Sequence, residues 1–219
     1  MLHAIRFTLN SLVIMLIAIG MAASIAHASE MDSKRYIVQL DSESLLSLVK
    51  SQEHASGNLD EKTAESNHEV KLREEFRTES KSYVLLEAPS ESNVSDYLKA
   101  LELSPISVIE TEFTNSPELG GGPKAMEAPR NGHKIYVIER GVPGISSLPM
   151  EKQIEVSKGS QKVVSQFGDK LEWDKSFLTQ EGTFCVYRTD NVDLIKEHAS
   201  IAGFPADKIS AVTHKIYDF

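Results

Sequence analysis

The stretch KIYVIER, Lys134–Arg140, limits what this chain can become more than any other. Its β-branched and aromatic residues make it a strand. Side chains alternate across a strand, so Ile135 and Val137 point one way and Tyr136 and Ile138 the other. A strand that is apolar on both sides has to be covered on both sides. The residues after it give that strand its company. Pro149 to Phe167 reads as a helix, with Pro149 suited to a first helical position and Gly168 to a terminal cap. KLEWDKSFLT and TFCVYRT read as two strands around a hairpin turn at Gln180-Glu181-Gly182. VDLIKEHASIA is a short helix capped by Asp190 or Asn191. Gly203 supplies its left-handed cap, Phe204 an apolar contact and Pro205 the stop. KISAVTHKI is a last strand. The order is βαββαβ, the ferredoxin-like pattern of four antiparallel strands with both helices on one face.

The first half repeats the theme. RYIVQL resembles KIYVIE, and SYVLLEAPSESNVSDYLKALEL again runs strand, capped turn, helix. ISVIETEF matches the last strand. Between the first two pieces lies a polar, helix-compatible stretch from Ser42 to Arg77, which Gly57-Asn58 breaks in two. Glu69/Arg73 and Lys71/Glu75 are i,i+4 pairs on the second of these expected helices, and REEFRT is a poor strand candidate. Thr114 to His133 holds four glycines and three prolines and reads as a linker. The expected class is therefore α+β, with two tandem ferredoxin-like units at residues 29–114 and 133–219, a linker over 115–132, and an internal duplication.

The N-terminus sets the expected compartment. Arg6, an apolar run from Leu12 to Ala26 and the site Ala26-His27-Ala28 describe a secretory signal peptide over residues 1–28. Retention as an anchor is the alternative. Cleavage leaves a periplasmic or secreted chain with no stable membrane span. Formal net charge is −9, which argues against a general phosphate-binding field and so against nucleic acid. The single cysteine, Cys185, has no partner within the chain, so stability has to come from packed cores.

YVIERGVPG, GTFCVYRT and EHASIAGFPADKISAV together resemble a bacterial family, domain of unknown function 4242, over about residues 134–213. Some of its relatives are described as nickel-binding ferredoxin-like proteins. The family's Glu-Ala-Pro after the Phe-Cys strand is Arg188-Thr189-Asp190 here, while Glu87-Ala88-Pro89 stands at the matching place in the first half. The resemblance implies a ferredoxin-like fold, association through the open sheet face, and possible use of nickel as a cofactor. Where nickel-binding relatives carry histidines at the end of the first strand, this chain has Glu139 and Arg140.

Five residues form a candidate ligand site: Glu139, Arg140, Trp173, Cys185 and Tyr187. Trp173 and Tyr187 lie on neighbouring strands, where they either pack on each other or line a cleft. Strand-end charges such as Glu139 and Arg140 are commonly solvated or paired; the alternative is a polar ligand between them. Cys185 is either a small buried hydrophobe or, beside a thiolate-stabilising neighbour, a nucleophile. A metal would need several close N, O or S donors. His198, His214 and Glu139 are the candidate set, against a helix-end capping role for His198. The functional expectation is an exported, non-catalytic binding or interaction protein for a small ligand or protein partner. The alternatives are a metal-binding protein and an enzyme using Cys185, His198 or Glu139. Strands apolar on both sides imply that two sheet faces meet, either as a pseudo-dimer within the chain or as a homodimer.

Overall fold

A computed structural model of the protein describes residues 33–41, 70–126 and 128–216. The expected signal peptide and the helices expected between residues 42 and 69 lie outside the described residues. From Lys34 onward the chain clusters as one compact unit. Its elements are β1 (Lys34–Asp41), β2 (Lys71–Thr78), β3 (Lys81–Ala88), α1 (Glu91–Ala100), β4 (Pro105–Thr111), β5 (Phe113–Asn115), β6 (Lys134–Arg140), α2 (Met150–Val164), β7 (Leu171–Leu178), β8 (Thr183–Thr189), α3 (Asp193–Ala202) and β9 (Lys208–Ile216).

The sheet runs β4-β1-β3-β2-β9-β6-β8-β7-β5, with every pair antiparallel. The orders β4-β1-β3-β2 and β9-β6-β8-β7 are the same ferredoxin-like order twice, joined where β2 pairs with β9. The fold is α+β, with antiparallel strands and helices on their outer face. β4 and β5 are separated by Glu112 alone, yet they stand at opposite ends of the strand order. The two ends of the sheet therefore meet, and the sheet closes on itself as a barrel. Glu112 N–H donates to the Leu178 carbonyl at 3.0 Å, and Thr111 Oγ1 donates to the same oxygen at 3.2 Å.

Closure supplies the two-sided cover that KIYVIER requires. Val137 points inward, into a core with Ile37, Phe76, Leu85, Phe184 and Val186 drawn from both halves. Tyr136 and Ile138 point outward and pack with Trp173, Tyr187 and Ile195 beneath α2 and α3. On the first half, Tyr36, Val38 and Leu86 meet Val94 and Leu98 of α1 in the same way. Gly203 ends α3 at φ 73°, and Phe204 N–H donates to the Ala199 carbonyl at 2.9 Å, as that cap requires.

Two expectations need correction. Lys71 to Thr78 is a strand and not the end of a polar helix, so REEFRT supplies most of β2. Its charges find partners that the helical pairing could not match: Arg73 with Glu87 of β3 at 2.9 Å and Glu74 with Lys175 of β7 at 2.7 Å, while Arg77 pairs with Glu75 two residues away on the same strand at 2.8 Å. The Gly/Pro segment is also more than a spacer. It opens inside β5, and its glycines permit close packing on α2. A Cβ on Gly120 would lie 2.7 Å from the Ser157 carbonyl oxygen, and one on Gly122 would lie 2.5 Å from the Gln161 side chain.

Because one inner core serves both halves, Phe184→Ala should cost about 3–5 kcal/mol of global stability. Urea unfolding followed by circular dichroism should show a single transition moved to lower denaturant. Two transitions with only one displaced would contradict a shared core.

Candidate functional site

Strand alternation distributes the candidate residues before any chemistry is considered. On β6, Val137 and Glu139 face the barrel interior while Ile138 and Arg140 face the helices. On β8, Phe184 and Val186 face inward while Cys185 and Tyr187 face the helices. Glu139 and Arg140, adjacent in sequence, therefore stand on opposite sides of the sheet. The helix-side set converges. Arg140, Trp173, Cys185 and Tyr187 line one cavity together with His198 and Ser160, the last two brought down by α3 and α2. The cavity offers about 40 Å³ to the centres of water-sized molecules.

Arg140 is held there by the turn after α3. Asp207 N–H donates to the Glu139 carbonyl at 3.1 Å, and Asp207 Oδ2 accepts from Gly141 N–H at 2.6 Å. These two bonds fasten the Gly203–Asp207 turn over the end of β6. The turn then presents the Pro205 carbonyl to Arg140 Nη1. From below, the start of β8 comes so close that a Cβ on Gly182 would sit 2.0 Å from the Arg140 carbonyl oxygen. The guanidinium lies 5.9 Å from the Tyr187 ring centroid and is 5 % exposed. No carboxylate pairs with it among the described residues, and its Nη2 has no hydrogen-bond partner.

His198 is 1 % exposed; its Nε2 lies 3.3 Å from Ser160 Oγ and its Nδ1 has no partner among the described residues. Burial, followed by the charge of Arg140, pushes His198 down to about 4. Its ring sits 5.3 Å from that of Tyr187. Burial holds the Tyr187 phenol well above its ordinary value, so it stays protonated. Cys185 Sγ lies 3.2 Å from Thr183 Oγ1. The site thus sets one buried cation among a neutral histidine, a protonated phenol, the Cys185 side chain and the Trp173 ring.

Glu139 does not belong to this set. It accepts from Tyr83 Oη at 2.6 Å and pairs with Lys81 at 3.2 Å and Lys208 at 3.8 Å on the inner side of the barrel. His214 is exposed on β9, opposite Arg77. The candidate metal set His198, His214 and Glu139 is therefore spread over separate surfaces. Among the described residues no three His, Cys, Asp or Glu side chains converge on a point. Ser160 was missed from sequence, because a serine at that spacing on a polar helix carries no signal of its own.

A family model described as "Nickel responsive protein SCO4226-like" matches residues 136–212. It covers the stretch whose motifs resemble domain of unknown function 4242, under a different description. Solved structures similar to the chain include chlorite dismutase from Candidatus Nitrospira defluvii in complex with imidazole. That likeness has a TM-score of 0.46 at 8 % identity, over 83 % of this chain and 91 % of that one. Another is a candidate monooxygenase from Lactobacillus acidophilus NCFM, with a TM-score of 0.41 at 10 % identity, over 83 % of this chain and 93 % of that one. No curated protein matches the sequence.

A histidine buried neutral ties stability to pH. Its folded value lies below its unfolded one of about 6.5, so the unfolded chain binds the extra proton between the two. The stabilisation is complete above about pH 6.5 and is lost as pH falls toward 4, by up to about 3 kcal/mol from this one group. Urea unfolding of the wild type between pH 7 and 4.5 should show a steeper loss than that of His198→Asn. Parallel profiles would mean that His198 is not held neutral.

Proposed function

We propose that the protein is an exported binding protein that captures a small oxyanion, or the carboxylate end of a small molecule, in the helix-side cavity. The observation that carries this reading is Arg140: a guanidinium 5 % exposed, with no carboxylate partner among the described residues and one nitrogen without an acceptor. Arginine cannot escape by losing its proton. An unpaired buried charge costs several kcal/mol, and a bound oxyanion relieves that cost through charge-assisted bonds. The space admits roughly three water-sized atoms, the size of formate, nitrate or a carboxylate group. Tyr187 and Ser160 line the same space and are able to donate to the anion.

Nickel, the metal in the matched family's description, does not suit this set of groups. The only two soft or nitrogen donors here, Cys185 and His198, sit with a fixed cation, and Glu139 is across the sheet. Export rests on the leader pattern of residues 1–28. An intact mass beginning at Ser29 is expected for the exported chain.

Trp173 is the single tryptophan and lines the cavity, so its fluorescence reports on occupancy. Formate and nitrate should each give a saturable change at pH 7. Arg140→Met should weaken binding at least about 30-fold. The same change should raise the melting temperature without anion, since it removes an unpaired buried charge. A variant that melts lower and still binds both anions would end this reading. Saturable binding of Ni²⁺ by the mature, tag-free chain, lost in His198→Asn, would favour the metal reading in its place.

A further inference from the structure

The opposite face of β7 and β8 carries a second, larger site, built by irregularities in the sheet. The β2–β3 register shifts between Leu72 and Glu74, leaving Arg73 as an extra residue. The β7–β8 register shifts between Trp173 and Lys175, leaving Asp174 extra. Such bulges turn two successive side chains to one face. Arg73 with Glu74, and Asp174 with Lys175, therefore all point to the inner side at one end of the barrel. A further shift, where β2 pairs with β9, brings Lys215 over the Phe76 ring at 4.8 Å. Arg188 joins them from β8 by plain alternation.

The pairs fix one another. Lys175 reaches Glu74 at 2.7 Å, Arg188 reaches Asp174 at 2.7 Å, and Lys215 lies 3.6 Å from Asp174. Arg188 is 2 % exposed and its Nε has no hydrogen-bond partner among the described residues. Above this floor opens a cavity of about 550 Å³, within the range of small-molecule sites. Six basic side chains line it against three acidic ones, in a chain whose net charge is −9. Arg73 is neutralised by Glu87 at 2.9 Å, while Arg35 and Lys124 sit exposed at the rim. The Gly/Pro segment forms one wall, anchored where Arg188 Nη1 donates to the Met126 carbonyl.

We propose that this basin binds a small polyanion, a species with two or more carboxylate or phosphate groups, seated on Arg188 and steered in by Arg35 and Lys124. Asp174 and Glu74 hold the cationic side chains in place, and the rim leaves positive charge facing the open volume. Burial pushes Lys215 down to about 8, against the pull of Asp174 and Glu74. Raising the pH through that value removes positive charge from a floor otherwise made of Glu74, Asp174, Lys175 and Arg188, so affinity falls.

Isothermal titration of the full mature chain with citrate and with pyrophosphate tests this. At least one should bind one to one at pH 7, more weakly at pH 9 and in higher salt, and the stronger of the two identifies carboxylate or phosphate as the favoured group. The exposed double reversal Arg35→Glu/Lys124→Glu should fold normally and lose at least about tenfold in affinity. Arg140→Met, on the other face of the sheet, should leave citrate and pyrophosphate binding unchanged. Absence of heat with both probes at millimolar concentration overturns the proposal. So does undiminished binding by the double reversal, or loss of binding in Arg140→Met.

Discussion

The pairing of one nearly continuous strand with both edges of the sheet is the constraint on which the rest depends. β4 pairs with β1, and one residue later β5 pairs with β7. Without that closure the inner faces of β1, β3, β6 and β8 would present Ile37, Leu85, Val137 and Val186 to water. With it, each half covers the other's inner face and each half's helices cover its outer face. The edge-to-edge join of β2 and β9 completes the ring and leaves few unpaired strand edges, which are otherwise a liability.

Closure also gives the sheet two chemically distinct sides, and both are used. β8 reads Thr183-Phe184-Cys185-Val186-Tyr187-Arg188, so its alternate residues serve opposite faces. Cys185 and Tyr187 look into the cavity under α2 and α3, while Arg188 looks into the basin at the barrel end. β7 does the same with the help of its bulge, sending Trp173 outward and Asp174 and Lys175 inward. The two arginines differ in their company. Arg188 has Asp174 at 2.7 Å, and Arg140 has the Pro205 carbonyl with the Cys185 and Tyr187 side chains beside it. That difference separates an organised ion network from a lone cation under two helices.

The second half was largely legible in the sequence, because its signals are local. Alternating apolar residues mark β6 and β8, Gly182 marks the hairpin, and Gly203 marks the end of α3. β2 was not legible. Its charges at i,i+4 spacing imitate a helix surface, and only the inner residues Glu87 and Lys175, distant in sequence, give them strand partners. Gly120 and Gly122 read as flexibility for a similar reason. Their role is to let the backbone approach Ser157 and Gln161, residues that follow them by more than thirty positions. The polar buried face of α2, with Gln153, Ser157 and Ser160, follows from that approach and from the cavity beside it.

Four of the five expected ligand residues meet in one cavity, and His198 joins them from the expected metal set. The sequence by itself determined the strand and helix types of the second half, its ferredoxin-like order and the two-sided burial of KIYVIER, since these depend on periodicity within a few residues. The tertiary structure alone decided that Glu139 and Arg140 part company, that Arg140 meets no carboxylate among the described residues, and that Arg188 gathers a charged basin. Those outcomes depend on bulges and on contacts between residues far apart in the chain. A one-residue change of register moves a side chain from one face to the other, and composition and spacing carry no record of it.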